Sequence, residues 1–332
     1  PHLSLTAIDG VSCSIIMKPT NESLTRWLRH RTIPANRAYA QNFLSKNGLS
    51  ENDFIGILQI CKGLSLTDCY WVTYPDDPKT FAQVNLFDNR FSQVLSQIAF
   101  TGYGSSPASK FWSSPEFTTN GMLPKAWRRK DGKVLLYKGG TSGFANTGKE
   151  PYSEFYAAQV AEAMGIDHIS YGLSKWKGML CSTCELFTSK DISFVPASTL
   201  IETSKISQIV AWYDAHGWKD DLADMLVLDA VIRNADRHLG NFGFLVDNHT
   251  NQLLKPAPIF DNGLSLYCYV MDDDLNNAET NFTNLRDVKN IFAQPQFADI
   301  GLTPLKAVKQ IFGGKEKYFE CLNEIENKLY EE

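Results

Sequence analysis

The stretch that most constrains this chain is Asn234-Ala235-Asp236-Arg237-His238-Leu239-Gly240-Asn241, which runs on into Phe242-Gly243-Phe244-Leu245-Val246. A second carboxylate follows in Pro258-Ile259-Phe260-Asp261-Asn262-Gly263. Asp236 stands five positions before the amide of Asn241, in a loop that Gly240 lets bend tightly, and an apolar hairpin leads on to Asp261. One carboxylate to take or orient the proton of an attacking hydroxyl, with an amide oxygen and a second carboxylate to hold Mg²⁺ against nucleotide phosphates, is the equipment of phosphoryl transfer. Asp236 alone reads as a turn residue and Asn241 alone as a cap. Their joint occurrence with Asp261 makes all three candidate catalytic residues, with Asn241 and Asp261 the candidate metal ligands.

The form Asp-Arg-His-x-x-Asn followed by a metal-binding Asp resembles the phosphatidylinositol kinases and, more closely, the HipA-like bacterial serine/threonine kinases. It departs from ordinary eukaryotic kinases, since no His-Arg-Asp precedes the loop and Asp-Asn-Gly replaces Asp-Phe-Gly. The resemblance covers residues 115–332 and implies an α+β, two-lobed protein-kinase-like fold. An N-terminal accessory region at 1–110 would precede a β-containing small lobe at 111–187 and a mostly helical large lobe at 188–332. It further implies ATP and Mg²⁺ as cofactors, a protein serine or threonine hydroxyl as acceptor, autophosphorylation, and a small antitoxin or regulatory protein as partner. Two rivals stand beside it. One is a lipid or small-molecule kinase, because phosphatidylinositol kinases share the loop. The other is a nucleotide-binding module of the toxin–antitoxin type that acts by binding a partner.

Composition narrows the classes without choosing among these. At 332 residues the chain can bury a core in two or three compact units. With 43% hydrophobic and 21% charged residues it has the make-up of a folded protein rather than a disordered one. A net charge of −5 gives no general attraction to nucleic acid or anionic membrane, and no direct nucleic-acid binding is expected. No apolar run approaches the ~18 residues of a membrane span. The opening Pro1-His2-Leu3-Ser4-Leu5 lacks a signal-peptide layout. Seven scattered cysteines read as reduced thiols, which points to a cytoplasmic protein, with secretion as an effector left open. Cys181 and Cys184 have no second pair or suitably spaced histidines to complete a zinc site, so they are read as packing thiols.

Taken in order, Ser23–Leu28 and Asn36–Leu44 show helical spacing, a strand is expected after Leu64–Val72, and Pro75-Asp76-Asp77-Pro78 is a turn. Trp71, Phe81, Phe87, Phe91 and Phe100 lack interleaved Arg or Lys and read as core rather than as a base-stacking platform. A turn-rich linker lies at Thr101–Pro107. Backbone N–H groups of Thr118, Thr119, Asn120 and Gly121 could cover phosphates, and the HipA-like resemblance places Thr118 where those kinases carry a phosphorylatable serine. Asp131-Gly132 between two strand-like runs signals a hairpin. Lys138, at the end of its second strand, is the candidate for holding the phosphates, and Glu154, in the first turn of a helix over 152–165, is the candidate to hold Lys138.

Residues 169–187 read as further strand, with backbone groups of Glu185, Leu186 and Phe187 placed to meet an adenine edge. Helices are expected at 206–213 and 221–232, with Asp229 as a brace for the loop and with Arg237 and His238 organising it. His238 also counts among the candidate cofactor-binding residues. Lys306–Phe312 and Glu316–Leu329 read as helices of the large lobe.

Overall fold

A computed structural model describes residues 21–73, 76–105, 114–143, 148–203, 205–234, 236–266 and 268. The helices expected at Lys306–Phe312 and Glu316–Leu329 lie outside these residues. The chain divides into two compact units. The first comprises Pro1–Thr141, Ser174–Val195 and Phe244–Lys255, and the second Ser142–Leu173, Pro196–Gly243 and Pro256–Glu332.

The first unit opens with helices α1 (Asn21–Arg29), α2 (Ala40–Lys46), α3 (Phe54–Cys61), α4 (Phe81–Val84) and α5 (Gln93–Thr101). Local chemistry sets their ends. The Asp53 carboxylate accepts from Gly56 N–H at 2.9 Å to start α3, and Ser92 Oγ accepts from Leu95 N–H at 3.2 Å to start α5. Gly102, at φ 76°, ends α5 in the left-handed conformation that glycine adopts without strain. The helix expected from Asn36 begins only at Ala40, because Tyr39 turns left-handed at φ 63°.

Phe43, Leu44, Ile57, Ile60, Leu95 and Ile98 pack with Phe117 into one core, where the Phe43 and Phe117 rings meet edge-on at 4.8 Å. Among the described residues no strand directly follows Leu64–Val72. Within that segment Thr67 N–H is bonded to Ser65 Oγ and Tyr70 N–H to the Asp68 carboxylate, which makes it a loop. This loop instead buries Leu64 and Leu66 against Val84 and Leu86, with Trp71, Phe81, Phe87 and Phe91 packed around them. Those aromatics are core, as their sequence context indicates.

A four-stranded sheet is built from β1 (Lys125–Lys130), β2 (Lys133–Gly139), β3 (Tyr171–Trp176) and β4 (Met179–Glu185), in the order β1-β2-β4-β3. Asp131 and Gly132, at φ 51° and 78°, make the expected β1–β2 turn. Lys177 and Gly178, at 53° and 80°, make the same kind of turn before β4, without the Asn-Gly or Asp-Gly sequence that usually announces it. A second sheet, in the order β5-β6-β7, holds β5 (Ile192–Pro196), β6 (Gly243–Asp247) and β7 (Leu253–Pro256).

Helix α5 packs on β1, and the buried carboxylate of Glu116 is bonded to both. The Glu116 carboxylate accepts from Ser114 Oγ at 2.6 Å, Ser96 Oγ at 2.9 Å and Trp127 N–H at 3.2 Å. Arg37 Nη1 donates to the carbonyls of Glu116 and Thr119. Burial raises the Glu116 pKa although these bonds and Arg37 oppose it, and burial lowers that of Arg37 to about 10 although Glu116 opposes it.

The second unit contains α6 (Glu150–Ala163), α7 (Ala197–Leu200), α8 (Ile206–Ala215) and α9 (Lys219–Ile232). Pro151 sits in the first turn of α6, where its missing N–H costs nothing. Gly165, at φ 71°, closes the end of α6 as its sequence position suggests. Because α6 starts at Glu150, Glu154 lies beyond the first turn rather than in it and is fully buried. Asp220 and Asp221 in the first turn of α9 favour the positive end of its dipole. Among the described residues no helix is long and apolar enough to cross a membrane.

Candidate functional site

The end of α9 delivers the loop. Arg233 takes the left-handed conformation at φ 56°, and the chain then runs through Asn234 to Asp236. Asp229, on the last turns of α9 and 5% exposed, meets this loop with its carboxylate. The carboxylate accepts from Arg237 Nε at 2.8 Å, Arg237 Nη2 at 2.9 Å and Asn234 Nδ2 at 2.9 Å. This two-point grip on a planar guanidinium is the strong form of an ion pair. Burial by itself lowers the Arg237 pKa, but the charge and hydrogen bonds of Asp229, with further help from Asp261 and Tyr171, outweigh it and hold the group above its ordinary value. Asp229 is thus the brace of the loop.

Within the loop, Asn241 is 2% exposed and its side-chain amide is bonded at both ends. Its Nδ2 donates to Asp236 O at 2.6 Å, and its Oδ1 accepts from His238 N–H at 3.0 Å. Asp236 N–H donates to Asn234 Oδ1 at 3.0 Å, which fixes the backbone under an exposed carboxyl group. His238 Nδ1 accepts from Gly240 N–H at 3.0 Å, so this ring organises the turn.

The second carboxylate arrives on a neighbouring segment. Arg237 Nη1 donates to Asn241 O at 3.1 Å and to Phe260 O at 2.9 Å, so one guanidinium spans the carriers of Asn241 and Asp261. Its Nη2 also donates to Asn262 Oδ1 at 2.7 Å. Asp261 itself is left-handed at φ 60°, and its N–H donates to the Tyr171 hydroxyl at 3.2 Å. Ser153 Oγ, on α6, lies 3.0 Å from Asn262 O and 2.9 Å from Ser265 O, and it accepts from Ser265 N–H. A parallel bridge between His168 and Ile259 aligns the approach to Asp261.

Asp236, His238, Asn241, Asp261 and Glu154 therefore belong to the second unit, and the first four lie in its loop and the adjoining segment. Lys138, Thr118 to Gly121, and Glu185 to Phe187 belong to the first unit. Lys138 is 6% exposed and faces Ser182 in the β2–β4 register, so it is a buried lysine rather than a solvated strand end. Thr118 Oγ donates to Leu64 O at 2.6 Å, and Thr119 Oγ donates to Pro115 O at 2.7 Å while accepting from Trp127 Nε1 at 3.0 Å. Both hydroxyls are engaged inside their own unit. Leu186 N–H donates to Val134 O at 2.9 Å, which continues the β2–β4 pairing past Glu185.

The donor set suits Mg²⁺. That ion is commonly held by one or two carboxylates together with nucleotide phosphates, and Asn241 Oδ1 retains a second lone pair. Among the described residues there is no group of three or more His, Cys, Asp or Glu that could hold a metal ion.

Sequence reading singled out Asp229 and Arg237 but missed Asn234, Asn262, Ser153 and Tyr171. Asn262 carried a signal, since it stands where Asp-Phe-Gly has an apolar ring. Tyr171 and Ser153 carried none, because only tertiary structure brings them to the loop.

No profile of a known protein family matches the chain. In sequence it is 25% identical over 257 residues, 73% of this chain and 71% of the relative, to the serine/threonine-protein kinase CtkA of Helicobacter pylori. A crystal structure of that organism's proinflammatory kinase CtkA aligns with 60% of this chain and 82% of its own at 20% identity, with a TM-score of 0.46. HipA, solved with HipB and operator DNA from the Shewanella oneidensis toxin–antitoxin system, aligns with 93% of this chain and 80% of its own at 12% identity, with a TM-score of 0.55. The fold is like that of HipA, mixed α/β with two sheets, in keeping with the fold class that the resemblance implied.

Proposed function

We propose that this HipA/CtkA-like chain transfers the γ-phosphoryl group of ATP to a serine or threonine hydroxyl of a protein. The observation that carries the reading is the Arg237 span, in which one guanidinium bonded to Asp229 also holds the backbones of Asn241 and Phe260. Asp236 then accepts the proton of the attacking hydroxyl, from a backbone that Asn234 and Asn241 hold still. Asn241 and Asp261 are the residues that would hold Mg²⁺. When bound, that ion neutralises charge on the phosphate oxygens. Lys138, with Glu154 as its partner, is assigned to the phosphates, and the backbone of 118–121 to covering them. Positioning and electrostatics of this kind supply most of the catalysis in phosphoryl transfer.

The proposal keeps an accessory region at 1–110, a small lobe at 111–187 and a helical large lobe at 188–332. It also includes a small regulatory protein partner, in line with the presence of HipB in the HipA structure. Thr118 is the proposed autophosphorylation site, and its buried hydroxyl must leave Leu64 O before it can react. The test is incubation with labelled ATP and Mg²⁺ in the presence of either generic protein substrates or phosphatidylinositol vesicles. Label on protein that disappears in Asp236→Asn supports the reading. Label on lipid alone replaces it with a lipid kinase, and no label on either removes it.

A further inference from the structure

Asp261 is held by more than its place in the chain. Its backbone sits at φ 60°, a conformation that a residue with a Cβ adopts only when its surroundings impose it. Three contacts impose it here. The Asp261 N–H donates to the Tyr171 hydroxyl at 3.2 Å. On the preceding residue, Phe260 O accepts from Arg237. On the following one, Asn262 is 1% exposed and its Oδ1 accepts from Arg237 Nη2 at 2.7 Å, with Asn234 Nδ2 at 3.4 Å. An aromatic ring at position 262 would be retained by apolar burial, which tolerates rotation into another apolar space. Asn262 is retained by a charge-assisted hydrogen bond to an arginine that Asp229 fixes in turn, and that bond has one geometry.

We infer that Tyr171 and Asn262 are positioning residues for Asp261: together they hold its backbone in the left-handed conformation before nucleotide arrives and so set the Mg²⁺ concentration at which nucleotide binds. The inference deepens the phosphotransfer reading and rests on it for the identity of the ligand. Neither residue touches the reacting atoms. Tyr171→Phe removes only the oxygen that accepts the Asp261 N–H. Asn262→Leu keeps the size of the side chain and removes the acceptor, while Asn262→Asp restores an acceptor oxygen toward Arg237.

The test uses the full chain and two readouts. Hydrogen exchange at the Asp261 amide is measured without metal or nucleotide, and binding of a fluorescent ATP analogue is titrated with Mg²⁺. In Tyr171→Phe and Asn262→Leu we expect exchange to quicken and the half-saturating Mg²⁺ concentration to rise, each by about tenfold, the factor carried by one hydrogen bond of ordinary net strength. Asn262→Asp retains the protection of wild type. Unchanged exchange and unchanged Mg²⁺ dependence in either variant overturn the assignment of that residue. If Asn262→Leu does not fold, Tyr171→Phe decides alone. If wild type binds no nucleotide at any Mg²⁺ concentration, the phosphotransfer reading fails, and exchange at Asp261 by itself decides the positioning.

Discussion

Replacing Asp229 with alanine tests the strut on which the candidate site stands. The carboxylate and its Arg237 partner have side chains 7% and 9% exposed, so water cannot replace what the substitution removes. Three hydrogen bonds disappear, two from Arg237 and one from Asn234. Breaking a buried ion pair by deleting one member costs about 3–5 kcal/mol, because the other charge stays buried without compensation. Arg237 keeps three acceptors, Asn241 O, Phe260 O and Asn262 Oδ1, which favours the lower end of that range. The lost Asn234 bond adds about 1 kcal/mol.

The expected destabilisation is therefore about 3–4 kcal/mol, a large share of the ~5–15 kcal/mol typical of a folded protein. Urea denaturation measures it directly. The double variant Asp229→Leu/Arg237→Met, which removes both charges, should lose less stability than Asp229→Leu alone. A loss below about 1 kcal/mol for Asp229→Ala, the value of an exposed pair, would refute the reasoning.

Burial, followed by the charges of Asp221 and Asp220, raises the Asp224 pKa. A raised carboxyl pKa gives stability that is full below the ordinary aspartate value and is lost as pH rises through the raised one. Asp224→Asn should therefore raise the thermal midpoint at neutral pH and leave it unchanged at about pH 3, as melts at the two pH values will report. Phe117 is fully buried among the helices of the first unit, and Phe117→Ala should cost about 3–5 kcal/mol in chemical denaturation while leaving the Asp229–Arg237 coupling in the second unit unaltered.

The parts of the fold legible in the sequence were those whose signals are local. Asp131-Gly132 fixes its hairpin through backbone conformation alone, and the apolar spacing of α6, α8 and α9 marks them without tertiary information. Helices α3 and α5 went unread although Asp53 and Ser92 cap them, because their apolar runs are short and buried on several sides, which blurs the period. The strand expected after Leu64–Val72 rested on the aromatic and β-branched residues that end that segment, but the described residues 76–80 run into the Thr80 cap of α4 instead. In the candidate site, oxygen-bearing side chains at fixed spacing were visible as chemistry. What holds them was less so: Asp229 could be inferred from a carboxylate on an apolar helix face, whereas the Tyr171 hydroxyl reaches Asp261 across 90 residues of sequence.

The most direct measurement of the central claim is mass-spectrometric detection of phosphate on the protein or on a generic serine/threonine substrate after incubation with ATP and Mg²⁺. Wild type, Asp236→Asn and Asp261→Asn are compared after each has been shown to melt normally. The account predicts phosphate in the wild type and its loss in both variants. Equal phosphate in wild type and Asp236→Asn, or none in a folded wild type saturated with Mg²⁺ and ATP, would contradict it.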